Sequence, residues 1–219
     1  GIPAEPLFRS DILQAAPRLL PTFPERVSTL AARQLDRLGV NLMLGSAVAK
    51  EDGVGVYMKD LSLHAKTIIW TAGVRAHSLY GKIAGLTIEK SGRVTVSETL
   101  EAAGTEHVFI IGDGANTPHA GTAQTAISDG HFAAKAIAAK IQQTPLSAYI
   151  AKQTPYVVPI GFDWAIFTYK NTVITGKLVF WLRELIDLRY FLSILPWWKA
   201  FRAWSKGGIR PEVCETCGH

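Results

Sequence analysis

Cysteine is nearly absent from this 219-residue chain: Cys214 and Cys217 are the only two, and both lie near its end. That excludes a disulfide framework and is compatible with a reducing compartment. The opening Gly1-Ile-Pro has no initiator methionine, and no basic segment followed by an apolar one marks a signal peptide. The expectation is a processed product or a piece of a longer protein. Low-complexity stretches and internal repeats are missing too. So is any G-x-G-x-x-G: Gly53 and Gly55 are followed by Met58 where the third glycine belongs, and Gly112 and Gly114 by Thr117. The fingerprint that seats a dinucleotide pyrophosphate is therefore not in this sequence.

What is present is a globular composition, 48% hydrophobic, with a net charge of +5. A basic balance suits an anionic membrane, a nucleic acid or a phosphate-bearing ligand, and its sign alone does not choose among them.

Helical spacing of Phe23, Val27, Leu30, Ala31, Leu35 and Leu38 predicts a helix within 22–38, with Pro24 in the first turn and Gly39 as the stop. Three β-rich runs follow at 40–48, 54–58 and 68–70, the last introduced by 61–65. Thr67-Ile68-Ile69-Trp70 is apolar enough to predict a strand buried on both faces, ending at the small turn Thr71-Ala72-Gly73. A short strand is expected at 93–96 and a second buried strand at 107–111. An alanine-rich helix should then run from about Thr122 to Gln142 and end before Pro145. Strand, small-residue turn and helix in succession are an α/β signature. Beyond Pro155 the composition shifts to aromatics, which places a boundary near Pro145.

The most informative motif is His107-Val-Phe-Ile-Ile-Gly112-Asp113, followed by a loop and the helix opening at Gly121-Thr122-Ala123-Gln124. A carboxylate at the C-terminal edge of a sheet lies where open α/β folds bind ligands, and an ionised Asp113 accepts hydrogen bonds from sugar-like hydroxyls. The N-terminus of the next helix favours an anion, or a group that becomes anionic on reduction. Read alone, Asp113 could equally cap a turn and Thr122 start an ordinary helix.

The string Ile69-Trp70-Thr71-Ala72-Gly73-Val74, then Val108-Phe109-Ile110-Ile111-Gly112-Asp113, then Ala123-Gln124-Thr125-Ala126 with Gly130, resembles the type II (non-proton-pumping) NADH dehydrogenase, or NADH:quinone oxidoreductase, family. Ala16-Pro-Arg-Leu-Leu-Pro21 and the first helix match that pattern as well, so the resemblance runs over nearly the whole chain. It implies an α/β fold: a partial flavoprotein with two dinucleotide-binding domains, both Rossmann-like units incomplete, followed by a helical, amphipathic C-terminal region. Residues 1–74 would be the C-terminal part of an NADH-binding domain, 75–145 that of an FAD-binding domain, and 146–219 a membrane-surface region.

The same resemblance implies non-covalent FAD as cofactor, NADH as substrate and a membrane quinone as acceptor. Gly112 and Asp113 would hold the ribityl chain. Thr122, Ala123 and Gln124 would face the isoalloxazine ring, with Gln124 catalytic at the quinone end, and Thr71, Ala72 and Gly73 would lie near both cofactors. The family often has a second glutamine one helical turn after the first; here it is Ser128, a shorter side chain. Disulfide reductases and sulfide:quinone oxidoreductases place cysteines beside the flavin, so direct hydride-to-flavin-to-acceptor chemistry fits better. With both fingerprints missing, the chain by itself is expected neither to hold FAD tightly nor to oxidise NADH.

Segment 177–195 is apolar, but Arg183, Glu184, Asp187 and Arg189 argue against a membrane span, because each costs about 3 kcal/mol near the bilayer centre. A wheel places Lys177, Arg183, Glu184 and Asp187 opposite a wide apolar face that includes Phe180 and Trp181, an interfacial pattern. Pro196 breaks the segment. Trp181, Trp197, Trp198, Lys199, Arg202 and Trp204 are the expected contacts to an anionic membrane surface, and the family implies a peripheral protein on its cytoplasmic face. Packing within the domain or a homodimer would cover the same face. Nucleic acid is not expected, because the apolar face is too large for it.

Cys214 and Cys217, with His219, have the spacing of half a zinc knuckle but no second cysteine pair, so no metal site is assigned. Two further readings stand beside the enzyme. One is a non-catalytic membrane-surface binding module; the other is a different FAD/NAD(P)-dependent oxidoreductase of the same superfamily.

Overall fold

A computed structural model describes residues 9–207. Cys214, Cys217 and His219 lie outside the described residues, and within them no group of three His, Cys, Asp or Glu side chains is placed to hold a metal. The chain divides into two compact units: one joins the sequence up to Ile68 with that from Pro155, and the other runs from Ile69 to Thr154. The expected segment borders at 74/75 and 145/146 differ from the unit borders at 68/69 and 154/155, and most of the first and third segments falls in one unit.

In the first unit, β1 (Ser10–Gln14) pairs in parallel with β2 (Val40–Leu44), Ile12 opposite Leu42, and α1 (Glu25–Arg37) makes the crossover between them. Helix α1 starts directly after Pro24, whose φ of −53° needs no adjustment to enter a helix. It stops at Gly39, where φ is +74°, a left-handed conformation that glycine adopts without strain. The loop before α1 is tied by Arg18, which donates to the Phe23 carbonyl at 2.9 Å and to the Ser28 hydroxyl at 2.6 Å. Ser28 in turn donates to the Leu19 carbonyl.

The expected single run at 40–48 is two strands. Gly45, with φ +69°, turns the chain after β2, so that β3 (Val48–Asp52) joins a different, antiparallel sheet with β4 (Gly55–Met58) and β5 (Ser62–His64).

The C-terminal part of this unit is not helical from its start. It begins with an antiparallel sheet of β6 (Tyr156–Pro159), β7 (Ala165–Tyr169) and β8 (Thr172–Gly176), and continues as α3 (Lys177–Ile194) and α4 (Trp197–Gly207). The β-branched and aromatic residues of Ala165-Ile-Phe-Thr-Tyr169 are a strand signal hidden inside an aromatic-rich stretch. Ile160 and Ile166 meet Val27 and Ala31 of α1 to form the core of the unit. Burial of side chains such as Val27 and Ile166 is worth roughly 2 kcal/mol each.

In the second unit, α2 (Ala123–Gln142) packs on a frame of short extended segments. Val94, fully buried, is central: its N–H donates to the Gly114 carbonyl and its carbonyl accepts from Asn116, both at 2.8 Å. Ala102, Ile110 and Ala115 complete this core.

Neither strand expected to be buried on both faces forms as such. Ile69 is 80% and Trp70 62% exposed, and among the described residues nothing pairs with 67–70. A central strand must have neighbours to satisfy its backbone N–H and C=O groups, and apolar sequence alone cannot supply them. Segment 107–111 has a neighbour on one side only. Ala102 donates to the Val108 carbonyl and Ile110 to that of Leu100, while Val108 and Ile111 stay exposed.

Candidate functional site

The Gly112-Asp113-Gly114 segment is a single 3-10 turn lying against the start of α2. Gly112 is buried with φ +61°, and a β-carbon there would come within 3.2 Å of the Ala126 methyl. At Gly114 an added β-carbon would stand 2.4 Å from the Tyr80 hydroxyl. Both glycines are therefore needed for the turn to seat between Tyr80 and α2. Asp113, between them, is exposed.

Helix α2 is capped by Thr122, whose hydroxyl accepts the Thr125 N–H at 3.1 Å and shares a 2.8 Å hydrogen bond with the Thr125 hydroxyl. The Thr125 hydroxyl donates to the His119 carbonyl. The cap satisfies one of the N–H groups that a helix start leaves without an intrahelical acceptor, so those of Ala123 and Gln124 remain for another partner. Ala123 is exposed and Gln124 half-buried. The structure thus brings Gly112, Asp113, Thr122, Ala123 and Gln124 together on one turn and one helix start.

Thr71, Ala72 and Gly73 form a separate exposed turn, closed by the Gly73 N–H on the Thr71 carbonyl at 2.8 Å. Nothing approaches within 4 Å of the position a Gly73 β-carbon would take.

Sequence reading missed three side chains here. Arg93 brings its guanidinium to 3.5 Å from a β-carbon built on Gly121, which places a fixed positive charge beside the α2 N-terminus, itself positive. Asp129 is 0% exposed. One of its oxygens accepts the Gly112 N–H at 3.0 Å and the other the Tyr149 hydroxyl. Burial and the Asp129 carboxylate hold the Tyr149 phenol well above its ordinary range. The available signal was the buried stripe Thr125, Asp129, Ala133 and Ala136 at helical spacing. Reading only apolar residues favours Ile127, Ile137 and Ile141, which are exposed.

The membrane-facing candidates lie in the other unit. Within it, Leu178 is 86% and Trp197 68% exposed, and Trp181, Leu185, Trp198 and Phe201 are also exposed, as are Lys199 and Arg202. Three charges of α3 lie together: Arg183 approaches Glu184 at 3.7 Å and Asp187 at 3.9 Å, while Lys177 pairs with Asp163 at 2.7 Å. Phe180, expected on the outward apolar face, is instead buried with Val179 and Ala165. Trp204 is half-buried and donates its indole N–H to the Glu184 carbonyl at 2.8 Å, tying α4 to α3. No helix of the described residues is long and apolar enough to cross a membrane.

A family model described as pyridine nucleotide-disulphide oxidoreductase matches residues 9–130. Among curated proteins, a type II NADH:quinone oxidoreductase of Staphylococcus saprophyticus is 28% identical over 81% of this chain and 46% of its own length. The type II NADH:quinone oxidoreductase Ndh of Mycobacterium tuberculosis is 33% identical over 59% of the chain and 30% of its own length. Among solved structures, NDH2 from Plasmodium falciparum in complex with NADH superposes with a TM-score of 0.75 at 15% identity, covering 90% of this chain and 57% of that one. That last likeness is one of fold. The chain spans about half the length of the curated relatives it matches.

Proposed function

Since the chain belongs to the pyridine nucleotide-disulphide oxidoreductase family, we propose that it supplies the flavin-ring and acceptor side of an FAD-dependent NADH:quinone oxidoreductase held on a membrane surface. The observation that carries the reading is the Gly112–Gly114 turn packed on the capped start of α2. The two glycines let the turn seat against Ala126 and Tyr80, the exposed Asp113 offers an acceptor for hydroxyls, and the first N–H groups of α2 with Arg93 offer positive charge. That donor and acceptor set fits a flavin: Asp113 toward the ribityl hydroxyls, Ala123 and Gln124 toward the ring.

Bound FAD would take a hydride from NADH and pass electrons to a quinone. The residues of this chain do the remaining work. Asp113 fixes the cofactor's orientation by accepting hydroxyl hydrogen bonds. The N–H groups of Ala123 and Gln124 and the Arg93 guanidinium favour the more negative, reduced state. The Gln124 amide can donate to an acceptor carbonyl. Thr71–Gly73 belongs to the same proposal as a second approach to the cofactors, near the NADH side.

The exposed apolar and aromatic faces of α3 and α4, with Lys199 and Arg202, support a peripheral position on an anionic membrane. The resemblance assigns that position to the cytoplasmic face. The segment division proposed with it is 1–74 toward NADH, 75–145 toward FAD and 146–219 toward the membrane.

The test is FAD retention in a full-length version carrying both glycine fingerprints. Asp113→Ala should weaken FAD binding about tenfold or more, the loss of charge-assisted hydrogen bonds, and unchanged affinity would contradict the assignment. The 219-residue chain alone, purified with excess FAD, should carry less than one flavin per molecule.

A further inference from the structure

The carboxylate of Asp129 is fully buried in α2, yet it takes no part in the chemistry proposed above. Its two oxygens have separate partners: Oδ2 accepts the Gly112 N–H at 3.0 Å, and Oδ1 accepts the Tyr149 hydroxyl. Tyr149 is itself fixed at both ends. Its backbone N–H donates to the Glu98 carbonyl at 2.7 Å, and its ring packs on Phe132 at 5.0 Å between centroids. Gly112, at the other end, has a left-handed backbone and contacts Ala126 one turn before Gly130. The turn that presents Asp113 is therefore pinned from below by an anion, and that anion is pinned by a tyrosine arriving from beyond the end of α2.

We propose that Asp129 and Tyr149 form a brace that sets the Gly112-Asp113-Gly114 turn against α2, and are positioning residues for whatever Asp113 binds. The identity of that ligand as FAD rests on the reading in the previous subsection. A buried carboxylate bridging one backbone donor and one hydroxyl is an unusual occupant of an alanine-rich helix face, where an alanine or valine would pack without desolvating a charge. The loss of either bond leaves a buried group unpaired: the Gly112 N–H in one case, a carboxylate oxygen in the other. The brace also couples the turn to Tyr149, beyond the end of α2. Asparagine at 129 keeps both hydrogen bonds, its oxygen toward Gly112 and its amide toward the Tyr149 oxygen, but removes the charge. That separates positioning from electrostatics.

The experiment is amide-resolved hydrogen exchange on the full 219-residue chain and its Asp129→Ala, Asp129→Asn and Tyr149→Phe variants, followed by titration of each with FAD. The brace predicts that the Gly112 amide exchanges about tenfold or more faster in Asp129→Ala and measurably faster in Tyr149→Phe, whose ring packing is kept. Asp129→Asn should stay close to wild type. FAD should perturb the 112–114 amides weakly in wild type and Asp129→Asn, and less in Asp129→Ala. If Asp129→Ala fails to fold, Tyr149→Phe decides. Unchanged Gly112 exchange in Tyr149→Phe, or Asp129→Asn as damaging as Asp129→Ala, would overturn the brace. No effect of FAD on any amide of a full-length version carrying both glycine fingerprints would overturn the flavin reading alone, because the exchange rates test the brace without a ligand.

Discussion

Gly112 faces Ala126 so closely that a β-carbon on the glycine would stand 3.2 Å from the alanine's own, and its φ of +61° lies in the left-handed region. One contact thereby couples the turn carrying Asp113 to the first turns of α2. Gly112→Ala should destabilise the chain by about 1–3 kcal/mol, from left-handed strain and crowding together. Urea unfolding measures this. A loss below about 0.5 kcal/mol would mean that the turn adjusts freely and does not rest on α2 as described.

A second prediction concerns acid. Glu101 accepts from Lys140 at 2.5 Å and from the His107 N–H, and these hold its carboxyl below the ordinary 4.5, the lysine bond being the larger cause. A carboxylate whose pKa falls on folding stabilises the native state above its unfolded value, and the gain is lost as pH drops through the folded value. Glu101→Gln should therefore be less stable than wild type at pH 7 and indistinguishable from it well below pH 4. Thermal unfolding across that range checks the sign. A deficit that persisted at low pH would assign it to packing. Both side chains are partly open to water, so the effect at pH 7 will be modest and weaker in high salt.

The exposed faces of α3 and α4 predict binding to vesicles containing anionic lipid. Replacing Trp197 and Trp198 together by serine should lower the membrane partition constant about tenfold or more, since roughly 1.4 kcal/mol or more of aromatic burial is lost. Charge reversal at Lys199 and Arg202 should remove most of the salt dependence. Co-sedimentation at low and high ionic strength separates the two. If binding is absent at low salt and a dimer is found in solution, the apolar face is covered by a second copy of the chain.

How much of this was legible in the sequence depended on whether the signal was local. Helices α1 and α2 were, because periodicity, Pro24, Gly39 and the Thr122 cap all act within a few residues. The break at Pro196 was legible for the same reason. Segments 67–70 and 107–111 read as buried strands from their apolar runs, but a strand exists only where another completes its hydrogen bonds, and that information is nonlocal. Strands β6–β8 were masked by aromatic residues that equally suit an amphipathic surface.

The proposal at Asp113 and the α2 N-terminus comes from a strand, turn and helix signature that is itself local. Asp129, Tyr149 and Arg93 were not. Their significance lies in partners 17, 20 and more positions away, which no window along the chain reveals. A polar residue on an otherwise alanine-rich stripe was the only available hint.

In the proposed function, electrons leave through the Gln124 end of the flavin site. Stopped-flow kinetics of Gln124→Ala in a full-length version tests it most directly. Flavin reduction by NADH should stay within about twofold of wild type while quinone-dependent reoxidation slows about tenfold, the loss of one polar contact made to the acceptor. Equal slowing of both half-reactions would contradict it.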